Sequence, residues 1–215
     1  MSISENINKY KAALNDVSLV AISKTKPASD LLEAYHAGQR IFGENKIQEM
    51  TEKWEELPKD IEWHMVGHVQ RNKVKYMAPY VGLIHAVDSL KLLKEINKEA
   101  KKNNRVIKCL LQIKIADEES KFGISPEEAE GILKSEKLAE MENLKVTGLM
   151  GMATFTEDEE QVKKEFQYLK SVFNDFQKKF SELKTLSMGM SGDYKIAVEC
   201  GSNMVRIGTA IFGER

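Results

Sequence analysis

The segment Leu19-Val20-Ala21-Ile22-Ser23-Lys24 is the first of eight short apolar runs that decide the fold. The other seven runs cover residues 40–45, 61–67, 82–88, 105–115, 144–153, 185–189 and 204–213. Every run except the last is followed by a polar stretch with helical periodicity, of which Val162, Phe166 and Leu169 are an example. This alternation predicts eight β-strands separated by amphipathic helices.

Eight strand and helix pairs are the number found in a (β/α)₈ barrel, whereas an open doubly wound sheet usually has about five or six strands. We therefore predict an α/β protein with a single (β/α)₈ TIM barrel over residues 1–215. A flavodoxin-like open sheet with extra elements is the alternative.

Three capping boxes mark predicted helix starts. Ser2 and Glu5 have this spacing, and apolar residues at helical intervals follow them, so we expect an extra N-terminal helix. The segments 125–128 and 156–159 have the same pattern and predict the starts of two later helices.

Composition excludes several classes of protein. The chain has 32 Lys and Arg against 33 Asp and Glu, and its formal net charge of -1 gives no electrostatic attraction to nucleic acid or to an anionic membrane. No apolar run approaches the length of a membrane span, and the N-terminus lacks a secretory signal. The only cysteines, Cys109 and Cys200, lie in apolar stretches, which suits a reducing compartment. We expect a cytoplasmic protein that binds neither nucleic acid nor membrane.

The first strand ends in a candidate reactive lysine. Active sites of barrels lie at the carboxyl ends of the strands, and Lys24 shares the inward face of its strand with Val20 and Ile22. An amine at the barrel mouth can form a Schiff base with an aldehyde. The alternative is a surface lysine just beyond the strand, as we expect for Lys26.

The loops after the last two strands resemble anion-binding loops. Barrels commonly bind phosphate there, and these loops contain Ser191-Gly192 and Gly208-Thr209. Their backbone N–H groups and hydroxyls can donate to an anion, although glycines that serve only turn geometry remain the alternative. A phosphorylated aldehyde would engage both these loops and Lys24.

Arg206 is predicted to face the same site from the last strand. An inward guanidinium can only donate hydrogen bonds, so an aromatic ring nitrogen opposite it would have to be unprotonated. Such a ring is a weaker electron sink, so the ligand would be held but poorly activated. The alternative is an arginine paired with a carboxylate such as Glu199 at the rim.

Together these residues resemble the pyridoxal phosphate homeostasis family, whose fold is similar to the N-terminal barrel of alanine racemase. The motifs that carry the resemblance are residues 19–27, 42–46, 63–67 with Gln70, Asn72 and Lys73, 148–152, 187–191 and 201–213. The resemblance implies pyridoxal 5'-phosphate (PLP) on Lys24, with Arg206 facing the pyridine nitrogen. It also implies phosphate contacts from Ser191, Gly192, Gly208 and Thr209, and a pocket lined by Asn45, His64 and Met150. Asn203 departs from the family, which often has Thr at this position.

The resemblance further implies a protein of PLP homeostasis rather than an enzyme. It would buffer or deliver PLP, with apo PLP-dependent enzymes as partners, as a monomer or a weak dimer. The chain ends soon after its last predicted strand, so we expect no second catalytic domain. The alternative is an amino-acid racemase that uses Lys24, with His64 or Tyr194 as the opposite acid/base group. His64 and His68 have the spacing of a metal pair, but no accompanying ligand motif is present, and we predict no metal site.

Overall fold

The computed structural model describes residues 2–117 and 122–214, and its strands form a closed parallel barrel. Neighbours in the barrel follow the chain order, and the first strand pairs with the last. The strands are β1 (Ser18–Ile22), β2 (Ile41–Glu44), β3 (Glu62–Met65), β4 (Leu83–Val87), β5 (Ile107–Gln112), β6 (Leu144–Met150), β7 (Thr185–Ser187) and β8 (Met204–Ile207). The predicted (β/α)₈ barrel is thereby confirmed, and the open sheet is excluded because β1 and β8 are paired.

Helices follow the strands around the outside of the barrel. They are α1 (Ile3–Leu14), α2 (Ala28–His36), α3 (Ile47–Glu56), a 3₁₀ turn (Arg71–Lys73) with α4 (Val74–Met77), α5 (Leu90–Lys102), α6 (Pro126–Leu133), α7 (Glu136–Ala139), α8 (Glu159–Lys179), α9 (Tyr194–Glu199) and α10 (Thr209–Phe212). The predicted N-terminal helix is α1. None of the helices in the described ranges is both long and apolar enough to cross a lipid bilayer.

Two of the three predicted capping boxes are present. Ser2 and Ser125 each exchange hydrogen bonds with the glutamate three residues later. The third prediction, at Thr156, was wrong, because Asp158 caps α8 and accepts the N–H groups of Glu160 and Gln161 at 3.1 Å. A carboxylate so close to the helix start accepts both of these N–H groups.

The last predicted strand is shorter than its apolar run. The ladder of β8 ends at Ile207, and the rest of the run folds into α10. There Ile211 and Phe212 are buried, and Asn6 of α1 donates its side-chain N–H to the carbonyl of Ile211 at 3.0 Å. The apolar run therefore serves two elements, and apolarity alone does not mark the boundary between them.

The alternation of side chains along the strands divides the core in two. In β1, Leu19 and Ala21 pack toward the helices, whereas Val20 faces the barrel lumen. The lumen holds a small apolar cluster of Val20, Leu83, Ala86, Leu110, Met150 and Met204. Polar side chains, including those of His64, His85 and Ser187, are also buried in the lumen, beneath the site described next.

Candidate functional site

A cavity of about 820 Å³ opens at the carboxyl ends of the strands. Seven of the nine residues predicted for the site line it, namely Lys24, Asn45, Ser191, Gly192, Arg206, Gly208 and Thr209. They come from the ends of β1, β2, β7 and β8, which are far apart in the sequence and adjacent in the closed barrel. Barrel closure thus brings most of the predicted site together.

The other two predicted residues lie deeper. The structure places His64 and Met150 in the lumen, where they are 1% and 0% exposed, and not among the residues that line the cavity. Met150 belongs to the apolar lumen cluster, and His64 hydrogen-bonds to His85 and Glu62. Both residues support the cavity from below.

Lys24 presents a free amine to the cavity. It lies two residues beyond β1, is half-buried, and its Nζ has no hydrogen bond or ion pair with any described residue. The neighbouring Lys26 differs, because it does not line this cavity and its Nζ donates to the carbonyl oxygen of Glu214 at 2.9 Å. Of these two lysines, only Lys24 is placed to react with a ligand in the cavity.

The backbone around Lys24 is held in an uncommon conformation. Thr25 has a φ of 64°, in the left-handed region that a β-branched residue rarely adopts. Its N–H donates to Glu49 Oε1 at 2.5 Å, and the carbonyl oxygen of Ser23 accepts from Lys53 Nζ at 2.7 Å. The peptide groups on both sides of Lys24 are therefore fixed by side chains of α3.

Glu49 and Lys53 belong to a hydrogen-bonded group that also contains Ser23 and Glu44, and we call it the Lys53 cluster. Lys53 Nζ lies 2.7 Å from Glu44 Oε1 and 2.8 Å from Glu49 Oε1, and Ser23 donates its hydroxyl to Glu44 Oε1 at 2.6 Å. Glu44 Oε2 is buried and has no partner among the described residues. Burial raises the pKa of Glu44, and Lys53 acts against this shift.

Ser191 joins the two predicted phosphate loops. Its Oγ accepts the N–H of Gly208 at 3.2 Å and the N–H of Ala210 at 3.5 Å, so its own proton is left to donate into the cavity. The N–H of Gly208, which the sequence predicted as a free donor, is thus used within the protein. A Cβ at Gly208 would lie 3.1 Å from the carbonyl oxygen of Ile22, so a larger residue would not fit without a shift.

Several donors in these loops have no partner in the described part of the chain: the N–H groups of Ser191, Gly192 and Thr209. A Cβ added to Gly192 would meet nothing within 4 Å, so the space beside this residue is open. Unpartnered N–H groups with hydroxyls beside them form a donor set suited to an anion with several oxygens. The residues present therefore fit a phosphate group.

Arg206 lies in the floor of the cavity, where it is 4% exposed. Its Nη1 donates to the carbonyl and hydroxyl oxygens of Ser187 at 2.9 and 2.6 Å, and its Nη2 donates to the carbonyl of Gly151 at 3.0 Å. No carboxylate of the described residues forms a salt bridge with it, so the alternative pairing with Glu199 is not observed. Burial lowers the pKa of Arg206 to about 10, which leaves it charged at neutral pH.

Asn203, the departure from the family motif, faces away from the cavity. Its side chain accepts the N–H of Leu186 at 2.7 Å and donates to the carbonyl of Lys184 at 2.6 Å, which ties β8 to the start of β7. The adjacent Ser202 is buried and donates its hydroxyl to the carbonyl of Met188 at 2.8 Å. Neither side chain lines the cavity, and both instead secure the strands that carry it.

The far side of the cavity was not predicted from the sequence. Its lining includes Gln112, Phe122, Met152, Thr154 and His68. Gln112 ends β5 and donates to the carbonyl of Phe122 at 2.9 Å, and the ring of His68 stacks on that of Phe122 with centroids 5.1 Å apart. Their positions just after or at the ends of β3, β5 and β6 are the sequence feature that could have indicated a place in the cavity.

The histidine pair with metal-like spacing is separated in space. His64 lies in the lumen, whereas His68 is at the cavity rim, with Nδ1 3.7 Å from Asp88. No group of three or more potential metal ligands occurs among the residues that the structure describes.

Comparison with known proteins links this geometry to a family. A family profile described as "Alanine racemase, N-terminal domain" matches residues 1–215. The pyridoxal phosphate homeostasis protein of Aquifex aeolicus is 41% identical over 203 residues, which cover 94% of this chain and 88% of that protein. The human protein of the same name is 42% identical over 210 residues, covering 92% of this chain and 76% of its own length.

A solved structure resembles the whole chain. PipY of Synechococcus elongatus, solved with PLP bound, superposes with a TM-score of 0.90 and 32% sequence identity. The match covers 99% of this chain and 100% of PipY.

Proposed function

The chain belongs to the family of pyridoxal phosphate homeostasis proteins, and we propose that it holds PLP as a Schiff base on Lys24 and buffers or delivers it. One observation carries this proposal. The free amine of Lys24 shares a single cavity with the unpartnered donors of the two phosphate loops. An aldehyde that carries a phosphate group is a ligand that uses both.

Each residue of the site has a role in this proposal. The amine of Lys24 would hold PLP covalently through its aldehyde group, with the carbonyl oxygen released as water. The hydroxyl of Ser191 and the N–H groups of Ser191, Gly192 and Thr209 bind the phosphate. Arg206, as an obligate donor, would hold the pyridine nitrogen in its unprotonated form. When bound, PLP supplies a reactive carbonyl carbon and a conjugated ring.

Two further observations favour a carrier over a racemase. Tyr194 packs edge-on against Tyr10 with ring centroids 5.4 Å apart, and it does not line the cavity. His64 is buried in the lumen, so neither residue is placed to exchange a proton with a ligand in the cavity. We propose residues 1–215 as one PLP-binding barrel domain without racemase turnover.

The covalent link can be tested by reduction. Borohydride adds hydride to the C=N bond and leaves a stable secondary amine, which peptide mass spectrometry locates. We expect the label on Lys24, its loss in Lys24→Ala, and its full retention in the matched control Lys26→Ala. A label on Lys26, or an imine absorbance that persists in Lys24→Ala, would refute the assignment of the lysine.

Delivery can be tested by transfer. The loaded protein is mixed with an apo PLP-dependent enzyme, whose recovered activity is compared with the rate from an equal amount of free PLP. The same preparation is assayed for racemisation of a panel of amino acids. We expect transfer and no racemisation, and the reverse result would replace the carrier by an enzyme.

A further inference from the structure

A chain of polar side chains crosses the barrel lumen beneath Arg206. We call it the lumen chain, and its members are Arg206, Ser187, His85, His64 and Glu62. Ser187 Oγ lies 3.0 Å from His85 Nδ1, His85 Nε2 lies 3.0 Å from His64 Nδ1, and His64 Nε2 lies 3.1 Å from Glu62 Oε1. With the 2.6 Å contact from Arg206 to Ser187, four hydrogen bonds link five side chains.

The chain runs from one face of the barrel to the other. Arg206 lies in the cavity floor at the carboxyl ends of the strands, whereas Glu62 is the first residue of β3. A Cβ at Gly82, just before β4, would lie 2.7 Å from Glu62 Cγ, so the missing side chain of Gly82 leaves room for this carboxylate. The side chain of Glu62 is 47% exposed, so the far end of the chain is in contact with solvent.

The hydrogen bonds of the chain have one consistent direction. Arginine can only donate, so the hydroxyl of Ser187 accepts from Arg206 and gives its own proton to His85 Nδ1. His85 then carries its proton on Nε2 and donates it to His64 Nδ1. His64 in turn carries its proton on Nε2 and donates it to the Glu62 carboxylate, which can accept it. In this arrangement both histidines are neutral and carry their protons on Nε2.

The electrostatics of the lumen agree with neutral imidazoles. Burial lowers the pKa of His64 and holds that of His85 well below its ordinary range. Glu62 and Lys108 are the charged groups that act on His64, while His64 and Arg206 act on His85. Glu62 also receives a hydrogen bond from His64, which lowers its pKa, with Lys108 acting in the same direction.

We propose that Glu62, His64, His85 and Ser187 are positioning residues for Arg206, and that the carboxylate on one face of the barrel fixes the donor arrangement at the cavity on the other. If His85 took the opposite tautomer, it would donate to Ser187 Oγ. The Ser187 hydroxyl would then accept from both His85 and Arg206, and its own proton would have no acceptor in the lumen chain. The acceptor at Glu62 holds the whole chain in the arrangement that serves Arg206. The inference rests on the proposed function only in that the ligand ring faces Arg206.

The tautomers can be read in the ligand-free protein. Two-bond ¹H–¹⁵N spectra distinguish protonated from bare imidazole nitrogens, and only four histidines need assignment, by single His→Gln variants. We expect Nε2–H forms of His64 and His85 at neutral pH. An Nδ1–H form or an imidazolium at either residue would overturn the proposed direction.

Variants of Glu62 test the coupling to the cavity. Glu62→Ala removes the acceptor, whereas Glu62→Gln keeps an oxygen that can accept from His64. The matched control is Glu142→Ala, which removes an exposed carboxylate on the same face, shortly before β6.

In Glu62→Ala, we expect a second tautomer of His64 and His85, a shifted pH profile of the absorbance of bound PLP, and about fivefold faster PLP loss, as for one weakened hydrogen bond. Glu62→Gln should restore all three readouts, and Glu142→Ala should match the unmodified protein. The proposal would be overturned if Glu62→Ala had the same histidine tautomers and the same PLP absorbance as Glu142→Ala. If both histidines have the Nε2–H form but the protein does not bind PLP, the proposed function is refuted and the proposed direction of the lumen chain is retained.

Discussion

The barrel buries two cations near its cavity and satisfies them in different ways. Lys53, whose side chain is 9% exposed, lies between the strands and the helices, with Glu44 and Glu49 both within 2.8 Å. Arg206 lies in the lumen, where its observed partners are the oxygens of Ser187 and Gly151. The next members of the lumen chain, Ser187 and His85, are neutral. Lys53 is paired with carboxylates in direct contact, whereas Arg206 donates to neutral oxygens and interacts with the Asp193 carboxylate only electrostatically.

The difference separates a structural cation from one that is available to a ligand. The ammonium group of Lys53 is paired with two carboxylates and with the carbonyl oxygen of Ser23. Its function is therefore to hold the backbone on either side of Lys24. The partners of Arg206 are neutral oxygens, which do not cancel its charge. The guanidinium can therefore still attract an anionic group in the cavity. Together with the free amine of Lys24, it supplies positive charge to a cavity whose lining also includes Glu157, Glu159 and Asp193.

Removing the charge of Lys53 should have the largest effect on stability. In Lys53→Met the carboxylate of Glu44 stays buried without its partner, and we expect a loss of about 3–5 kcal/mol in the free energy of unfolding. Urea denaturation measures this loss. Lys94→Met is the control, since Lys94 is an exposed lysine of α5 and its replacement should cost less than about 0.5 kcal/mol. A similar small loss in Lys53→Met would show that the cluster does not depend on its cation.

The matching change at Arg206 should affect ligand binding more than stability. Arg206→Met leaves no carboxylate unpaired, and water from the cavity can reach the oxygens that it exposes, so we expect a loss of about 1 kcal/mol. The dissociation constant for PLP, measured by absorbance titration, should rise by more than tenfold, as for a lost charged partner. If Arg206→Met unfolds as easily as Lys53→Met, the two cations are equivalent and the comparison fails.

The smallest effect should appear in the pH dependence of unfolding. The pKa of Glu62 is lowered in the folded protein, so the stability it contributes is present above its ordinary pKa and is lost as the pH falls through the lowered value. The pKa of Glu44 is raised, so its contribution has the opposite sign and stability falls as the pH rises from its ordinary value to the raised one.

Glu62→Gln should therefore reduce the loss of stability that occurs as the pH falls. Glu44→Gln should remove the loss of stability that occurs as the pH rises above the ordinary pKa of a glutamate. Urea midpoints between about pH 3 and 7 measure both slopes. Because Glu62 is half-exposed, we expect its contribution to be a few tenths of a kcal/mol. Identical slopes in both variants would contradict the opposite signs.

Much of the fold and part of the site could be predicted from periodicity. The face shared by Val20, Ile22 and Lys24 follows from alternation along one strand, and the eight runs gave the barrel. Alternation does not give depth, because the stagger of neighbouring strands sets how far each inward residue lies from the cavity. The resemblance implied His64 as a pocket residue, and the structure places it deeper, in the lumen.

Contacts between elements were beyond the sequence. Lys53 reaches Glu44 from a helix nine residues later, and His85 reaches Ser187 across 102 residues, and neither pair has a recognisable spacing. The helix start at Asp158 was missed for a local reason, since Thr156 and Asp158 are both good capping residues and geometry chose the second.

The seam where β1 meets β8 has a consequence for the order of folding. Lys24 lies on one side of this seam and the phosphate loop after β8 lies on the other, and a bond from Lys26 to Glu214 spans 188 residues. Contacts so distant along the chain form late, so a nascent polypeptide should not capture PLP before β8 has been synthesised and docked. If PLP binds as proposed, it joins the two sides, and at a hundredfold excess over its dissociation constant it would add about 2.7 kcal/mol against their separation. The barrel with bound PLP should then survive proteolysis longer, which a protease time course with and without PLP would reveal.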